Sequence, residues 1–185
     1  FGDKVRSKQL ADENKVPTVK GTSGNISLKE AERFYKSLKK NSKLIIKAVK
    51  GGGGRGMRLV NNLDELESSF ARASSEAKAS FGSGSLYVEE YLPKTRHIEV
   101  QIIGDGTGSV THLGERECSI QRRHQKIIEM APSPILETKT RNNITAAAVK
   151  LAEAVNYKGL GTFEFLVSSS GKSFKFIEAN ARLQV

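Results

Sequence analysis

The chain has 185 residues, 37% of them hydrophobic, and a formal charge of +10, which suits one domain, or a domain with a small lid, around a core of its own. No apolar run reaches the roughly 20 residues of a membrane-spanning helix, and the single cysteine, Cys118, excludes an intrachain disulfide and fits a reducing compartment. The basic excess favours anionic partners in general, whether nucleic acid, anionic membrane or phosphorylated small molecules, while aromatic residues at 6% weigh against a single-strand binder built on base stacking.

The chain opens on Phe1-Gly2-Asp3-Lys4, with no initiator Met and no signal-peptide pattern. Ser27-Leu28-Lys29-Glu30 reads as a capping box, and Leu28, Ala31, Phe34 and Leu38 follow it at helical spacing. Leu44–Lys50 reads as a strand, and Met57–Val60 as a second one after the glycines. Leu63, Leu66, Phe70, Ala73 and Ala77 form the apolar stripe of another helix. From Thr18 to about Tyr91 the order is therefore helix, strand, glycine loop, strand, helix, strand, a small α+β unit of lid size. Further on, Ile98, Val100 and Ile102 alternate with His97, Glu99 and Gln101, so one strand face is apolar and the other polar. Gly104-Asp105-Gly106 predicts a turn. Ile144, Ala147, Ala148, Leu151 and Val155 mark a helix ended between Asn156 and Gly159. Gly161–Val167 and Ser173–Ala179 predict two strands about the turn Ser168–Lys172. The chain closes on Gln184-Val185, directly after that strand, and its two ends read as those of a fragment.

Gly51, Gly53 and Gly56 match G-x-G-x-x-G in form. A dinucleotide fingerprint needs a helix after the glycines, and a P-loop needs a Gly-Lys-Ser/Thr ending; neither is present. What remains is a hairpin tipped by four glycines with Lys50 and Arg55 beside them. Glycine lets backbone N–H groups approach an anion, and the cations would neutralise phosphate.

With the last two strands paired about Gly171, Glu164 falls opposite Glu178 on one face. Opposed like charges destabilise a sheet pair unless a divalent cation sits between them, and an all-oxygen donor set suits Mg²⁺ completed by phosphate oxygens. The same alternation puts Glu178, Asn180 and Arg182 on one face. The segment Glu115–Lys126 is dense in charge and donors. It reads equally as a nucleic-acid patch and as a source of Lys126, Gln121 and His124 for an active site. His97 and Glu99 share a face that is either a site wall or a solvated side. His97, His112 and His124 lack metal-ligand spacing, and Cys118 reads as a buried thiol rather than a nucleophile.

Six ordered segments carry a resemblance over essentially the whole chain: Gly2–Lys4, Ile46–Met57, Arg96–Gln101, Glu115–Lys126, Gly161–Phe165 and Phe176–Val185. They resemble biotin carboxylase, the ATP-grasp component of the biotin-dependent carboxylases. The resemblance implies an α+β ATP-grasp fold in three parts: residues 1–18 leading into the lid, the lid at 19–91, and part of the C-terminal antiparallel-sheet subdomain at 92–185. It implies that Lys4, Lys47, Gly53, Gly54, His97, Gln121 and His124 contact the nucleotide, with Glu89, Glu90, Tyr91 and Leu92 as the adenine hinge. Glu164, Glu178 and Asn180 would bind Mg²⁺ or Mn²⁺, and Glu164 would thereby also touch the nucleotide. Lys126 and Arg182, the catalytic candidates, would line the bicarbonate site with Gln184 and Val185. The implied ligands are ATP, the metal, bicarbonate and biotin. The implied partners are a biotinylated carrier and a carboxyltransferase, with a possible homodimer, no nucleic acid and no membrane span. The implied location is bacterial cytoplasm, mitochondrial matrix or cytosol. Ala181 departs from the proline or threonine of the family pattern. The general-base glutamate that follows Val185 in that pattern, the preceding subdomain and a later arginine near biotin lie outside this sequence, so the stretch by itself is expected not to complete turnover. The rival readings are another ATP-grasp ligase, including a carbamoyl-phosphate-forming one, which Gln121–Lys126 argues against, and a non-enzymatic basic module that binds nucleic acid.

Overall fold

The computed structural model describes residues 3–51, 55–122 and 125–184. In chain order the elements are α1 (Lys4–Glu13), α2 (Leu28–Lys36), β1 (Lys43–Ala48), β2 (Met57–Val60), α3 (Leu66–Phe81), β3 (Leu86–Tyr91), β4 (Thr95–Asp105), β5 (Val110–Arg122), β6 (Gln125–Met130), α4 (Thr138–Glu153), β7 (Lys158–Ser168) and β8 (Phe174–Asn180). They form two compact units, Val19–Pro93 on the one hand and Phe1–Thr18 with Lys94–Val185 on the other.

In the unit Val19–Pro93, α2 starts on the predicted capping box: Ser27 Oγ accepts from the Glu30 amide and Glu30 Oε2 accepts from the Ser27 amide. Reciprocal capping satisfies two amides that the first helical turn leaves without partners. Strand β1 buries Leu44, Ile46 and Ala48 and turns Ile45 and Lys47 to its other face. It ends at Ala48, two residues before the predicted boundary. The sheet order is β2-β1-β3, antiparallel throughout. Helices α2 and α3 close its core with Ala31, Leu66, Ala73 and Ala77. Leu63 lies in a short 3-10 turn ahead of α3 and is exposed. Gly82, at φ 73°, ends α3 in the left-handed conformation that glycine takes without strain.

In the other unit five antiparallel strands lie in the order β6-β5-β4-β7-β8. Ile98, Val100 and Ile102 of β4 meet Phe163, Phe165 and Val167 of β7 and Phe176 of β8, and Ala11 of α1 with Ile144, Ala148 and Leu151 of α4 join the same core. Helix α1 packs on β8, and α4 on β4 and β5.

The structure corrects three predicted boundaries. Gly104 is no turn residue: β4 continues to Asp105, whose carboxylate then accepts from the Thr107 and Ser109 amides. Gly104 is needed for close packing, since a Cβ there would lie 2.0 Å from the Tyr157 carbonyl oxygen. Helix α4 stops at Glu153, leaving Val155 outside it and exposed, and Lys158 already begins β7.

Candidate functional site

On the polar face of β4, His97 and Gln101 are half-buried and flank Glu99. Glu99 is 1% exposed, so this face is no solvated side. Strand register sets Arg116 beside Glu99, Glu99 opposite Glu164, and Glu164 opposite Glu178. Three carboxylates thus lie on adjacent strands, an arrangement that is unfavourable without compensation. Cations supply it. Lys126 Nζ of β6 is 2.5 Å from Glu99 Oε2 and 3.2 Å from Glu164 Oε1. Arg116 Nε donates to Glu99 Oε1 at 2.6 Å, and Lys4 Nζ, on the first turn of α1, is 2.7 Å from Glu178 Oε2. Asn180 Nδ2 donates to Glu164 Oε1 at 2.9 Å.

Burial would push the Glu99 carboxyl up, but Lys126 and Arg116 outweigh it and hold the group below the usual carboxylate range. Burial would likewise lower Lys126, but Glu164 and Glu99 outweigh it and hold its pKa above the ordinary lysine value. Lys126 is therefore a fixed ammonium, a point charge for an anion rather than a proton acceptor.

His97 completes the cluster. Its Nε2 lies 2.5 Å from Glu164 Oε2, and its Nδ1 lies 2.8 Å from Gln121 Nε2. Gln121 Nε2 also donates to the Cys118 carbonyl at 2.7 Å, which fixes the amide nitrogen on that side. It follows that Nδ1 accepts, and that Nε2 carries the proton given to Glu164. Cys118 is fully buried, and burial followed by the Glu99 charge pushes its thiol up, as expected for an inert thiol.

The metal candidates Glu164, Glu178 and Asn180 lie on adjacent strands; here the Asn180 amide nitrogen faces Glu164 Oε1, and Lys126, His97 and Lys4 hold the carboxylates. Among the described residues no group of three or more His, Cys, Asp or Glu could hold a metal ion. Two carboxylates and one amide oxygen fit a magnesium-type ion that completes its shell with phosphate oxygens and water.

Arg182 departs from expectation. Strand β8 ends at Asn180, so Arg182 sits in an exposed bend rather than on the strand face. Its carbonyl accepts from Thr162 Oγ1 at 3.2 Å. Gln184 is half-buried and lines a cavity of about 230 Å³ with Glu99, Gln101 and Arg116. The acidic residues of the charge-dense segment from Glu115 turn inward, while Arg122 is exposed. Glu115 and Glu117 are buried, Arg141 Nε donates to Glu115 at 2.5 Å, and Arg96 Nη1 is 2.5 Å from Glu117.

In the unit Val19–Pro93, Lys47 Nζ lies 2.6 Å from the buried Glu89 carboxylate. Glu90 accepts from Ser42 Oγ at 3.3 Å. Glu89, Glu90 and Tyr91 are strand residues of β3, and Leu92 follows it. The glycine stretch joins β1 to the antiparallel β2, with Lys50 and Arg55 exposed beside it. Gly53, Gly54, His124 and Val185 lie outside the described residues. Sequence reasoning offers Glu99 only as part of a site wall or a solvated side, and passes over Arg116 and Thr162 as site residues. The alternation in β4 and β7 carried a signal for Glu99 and Thr162; Arg116 gave none, because β5 was not legible as a strand.

A sequence profile of the family described as "Carbamoyl-phosphate synthase L chain, ATP binding domain" matches residues 3–185. Mitochondrial pyruvate carboxylase of Rattus norvegicus is 51% identical over 186 residues, which cover all of this chain and 16% of that protein. The chain thus spans about a sixth of the length of the curated relatives it matches. Among solved structures, a biotin carboxylase from Campylobacter jejuni in complex with a nucleotide matches with TM-score 0.95 at 47% identity, covering 100% of this chain and 41% of that one. The biotin carboxylase domain dimer of Hydrogenobacter thermophilus 2-oxoglutarate carboxylase, in complex with MgADP, ADP and bicarbonate, matches with TM-score 0.93 at 43% identity, covering 100% and 40%. The chain belongs to the family of the carbamoyl-phosphate synthase L chain ATP-binding domain, and its fold is the ATP-grasp fold of the biotin carboxylases.

Proposed function

We propose that this chain is the nucleotide- and bicarbonate-handling core of a biotin-dependent carboxylase. The observation that carries the reading is Lys126, held as a permanent ammonium between Glu99 and Glu164 on a strand face where Glu164, Glu178 and Asn180 also converge. Biotin carboxylase structures of the same fold whose ligands include nucleotide, magnesium and bicarbonate support it.

Residues 1–18 would lead into a lid at 19–91, followed by a sheet subdomain at 92–185. Lys4, Lys47, Gly53, Gly54, His97, Gln121 and His124 would contact the nucleotide, with Glu89, Glu90, Tyr91 and Leu92 around the adenine. Glu164, Glu178 and Asn180 would hold Mg²⁺ or Mn²⁺, which when bound neutralises phosphate charge. Lys126, Arg182, Gln184 and Val185 would orient bicarbonate. Its oxygen attacks the γ-phosphorus of ATP, ADP leaves, and carboxyphosphate forms; this breaks down to carbon dioxide and phosphate, the phosphate takes the proton of the biotin nitrogen, and that nitrogen bonds to the carbon dioxide. Phosphoryl transfer is chiefly positioning and charge neutralisation, which fits a site built of fixed cations. Arg182 adds a planar fork for a small oxyanion.

The carboxyl group would pass to a biotinylated carrier and then to a carboxyltransferase, in a homodimeric protein of the mitochondrial matrix, the cytosol or a bacterial cytoplasm. ADP formation measured in the full-length protein that carries this chain tests the reading. ATP cleavage should require bicarbonate and rise with free biotin, and Glu178→Gln should abolish it. Cleavage indifferent to bicarbonate and biotin but dependent on an amine or ammonia would assign the chain to the other ATP-grasp ligases instead.

A further inference from the structure

Beyond Asn180 the chain leaves the sheet, and Ala181, Arg182 and Leu183 are exposed and outside any regular element. The sheet reaches this segment through Thr162. Thr162 is 0% exposed and lies in the row Gln101, Thr162, Asn180 across β4, β7 and β8. Its hydroxyl oxygen is 3.2 Å from the Arg182 carbonyl oxygen and 3.3 Å from Gln101 Oε1. One hydroxyl proton serves one acceptor well. The Gln101 amide nitrogen, meanwhile, is buried with no hydrogen-bond partner among the described residues. A half-turn of that amide gives its nitrogen a partner and frees the Thr162 proton, leaving the carbonyl oxygen on the unpartnered side. Gln101 Nε2 then donates to Thr162 Oγ1, and the Thr162 proton is committed to the Arg182 carbonyl. A fully buried hydroxyl needs such partners, and β-branched valine would fill the same space in a strand without them.

We propose that Thr162, oriented by Gln101, is a positioning residue for the oxyanion-binding segment: its hydroxyl fixes the backbone at Arg182 and thereby the reach of Arg182 and Gln184 toward bicarbonate. The inference rests on the bicarbonate reading of Arg182 and Gln184. Thr162 touches no substrate; it acts through the Arg182 backbone.

The test measures bicarbonate and ATP KM in bicarbonate-dependent ATP cleavage by the full-length protein carrying this chain. Thr162→Val should raise the bicarbonate KM roughly 5- to 20-fold, as expected for one buried hydrogen bond, with the ATP KM little changed. Thr162→Ser, which keeps the hydroxyl, should restore it, a recovery that a purely structural role would not require. Gln101→Met should shift the bicarbonate KM in the same direction and carries the test should Thr162→Val not fold. Equal shifts of both KM values, or no recovery in Thr162→Ser, overturn the inference. A raised bicarbonate KM in Arg182→Ala with none in Thr162→Val overturns the inference alone. An unchanged one in Arg182→Ala overturns both the inference and the reading beneath it.

Discussion

Glu99 and Lys126 show how a charged pair is kept inside a sheet. Each is costly to bury alone, and each is held charged by the other and by Arg116 and Glu164. The signs of the two shifts set a pH window. The lowered Glu99 pKa contributes stability that is complete above the unfolded value of about 4.3 and drains as pH falls through the folded one. The raised Lys126 pKa contributes stability that is complete below about 10.4 and is lost as pH rises through the folded value. Between those limits both contribute. Glu99→Gln keeps the shape and removes the charge, leaving Arg116 and Lys126 short of a partner. It should cost on the order of 3 kcal/mol near neutral pH, with the gap to wild type closing as the pH falls below about 4. Urea unfolding at several pH values measures both. A gap that stays constant into acid would mean that the charge on Glu99 is not what stabilises the sheet.

At the level of elements, the glycine stretch is held by its far end. Gly56 has φ +68°, and a Cβ there would lie 2.8 Å from the Ala48 Cβ at the end of β1. Gly56→Ala should therefore destabilise the unit Val19–Pro93 by about 1–3 kcal/mol, the cost of a left-handed non-glycine residue plus the overlap. Thermal unfolding should register it as a lowered Tm. Elements with one apolar face were legible before any coordinates. The stripes of α2 and α3 and the alternation of β4 follow from period alone, and the returning β2 from a short apolar run after the glycines. Strand β5 was not, because Glu115 and Glu117 are buried as ion pairs and leave no hydrophobic period to read, and the short β6 was not legible either. Helix α1 was missed for a related reason: it is polar along most of its length and buries Ser7 and Ala11. The β7–β8 register was legible at the site but not along the whole hairpin. Nearer the turn Phe165 pairs with Phe176, one residue off the predicted ladder, and a bulge at Ile177 restores the pairing of Glu164 with Glu178. Arg182 was misplaced because nothing in strand alternation says where a strand stops.

For the molecule as a whole, the charge of +10 divides into cations that are committed and cations that are free to attract. Lys4, Lys47, Arg116, Lys126 and Arg141 are spent on carboxylates. Lys29, Arg33, Lys36, Lys39, Lys40 and Lys43 stand exposed on and after α2. The exposed set makes a field that attracts any anion; the committed set is held in place by its carboxylates. Salt separates them, because screening weakens distant exposed charges far more than half-buried ones. Raising ionic strength from about 0.01 to 0.15 M shortens the Debye length from roughly 30 to 8 Å. Nucleotide association should then slow several-fold, while the kcat of the full-length protein carrying this chain stays nearly constant. Stopped-flow binding of a fluorescent ATP analogue and steady-state turnover at the same salt concentrations check the two halves. Duplex DNA should bind weakly at the low end and release as salt rises, as expected of contacts made by exposed lysines alone. Tight DNA binding that persists at 0.15 M, with no measurable affinity for nucleotide, would instead make the basic surface the function and the carboxylate row a matter of folding alone.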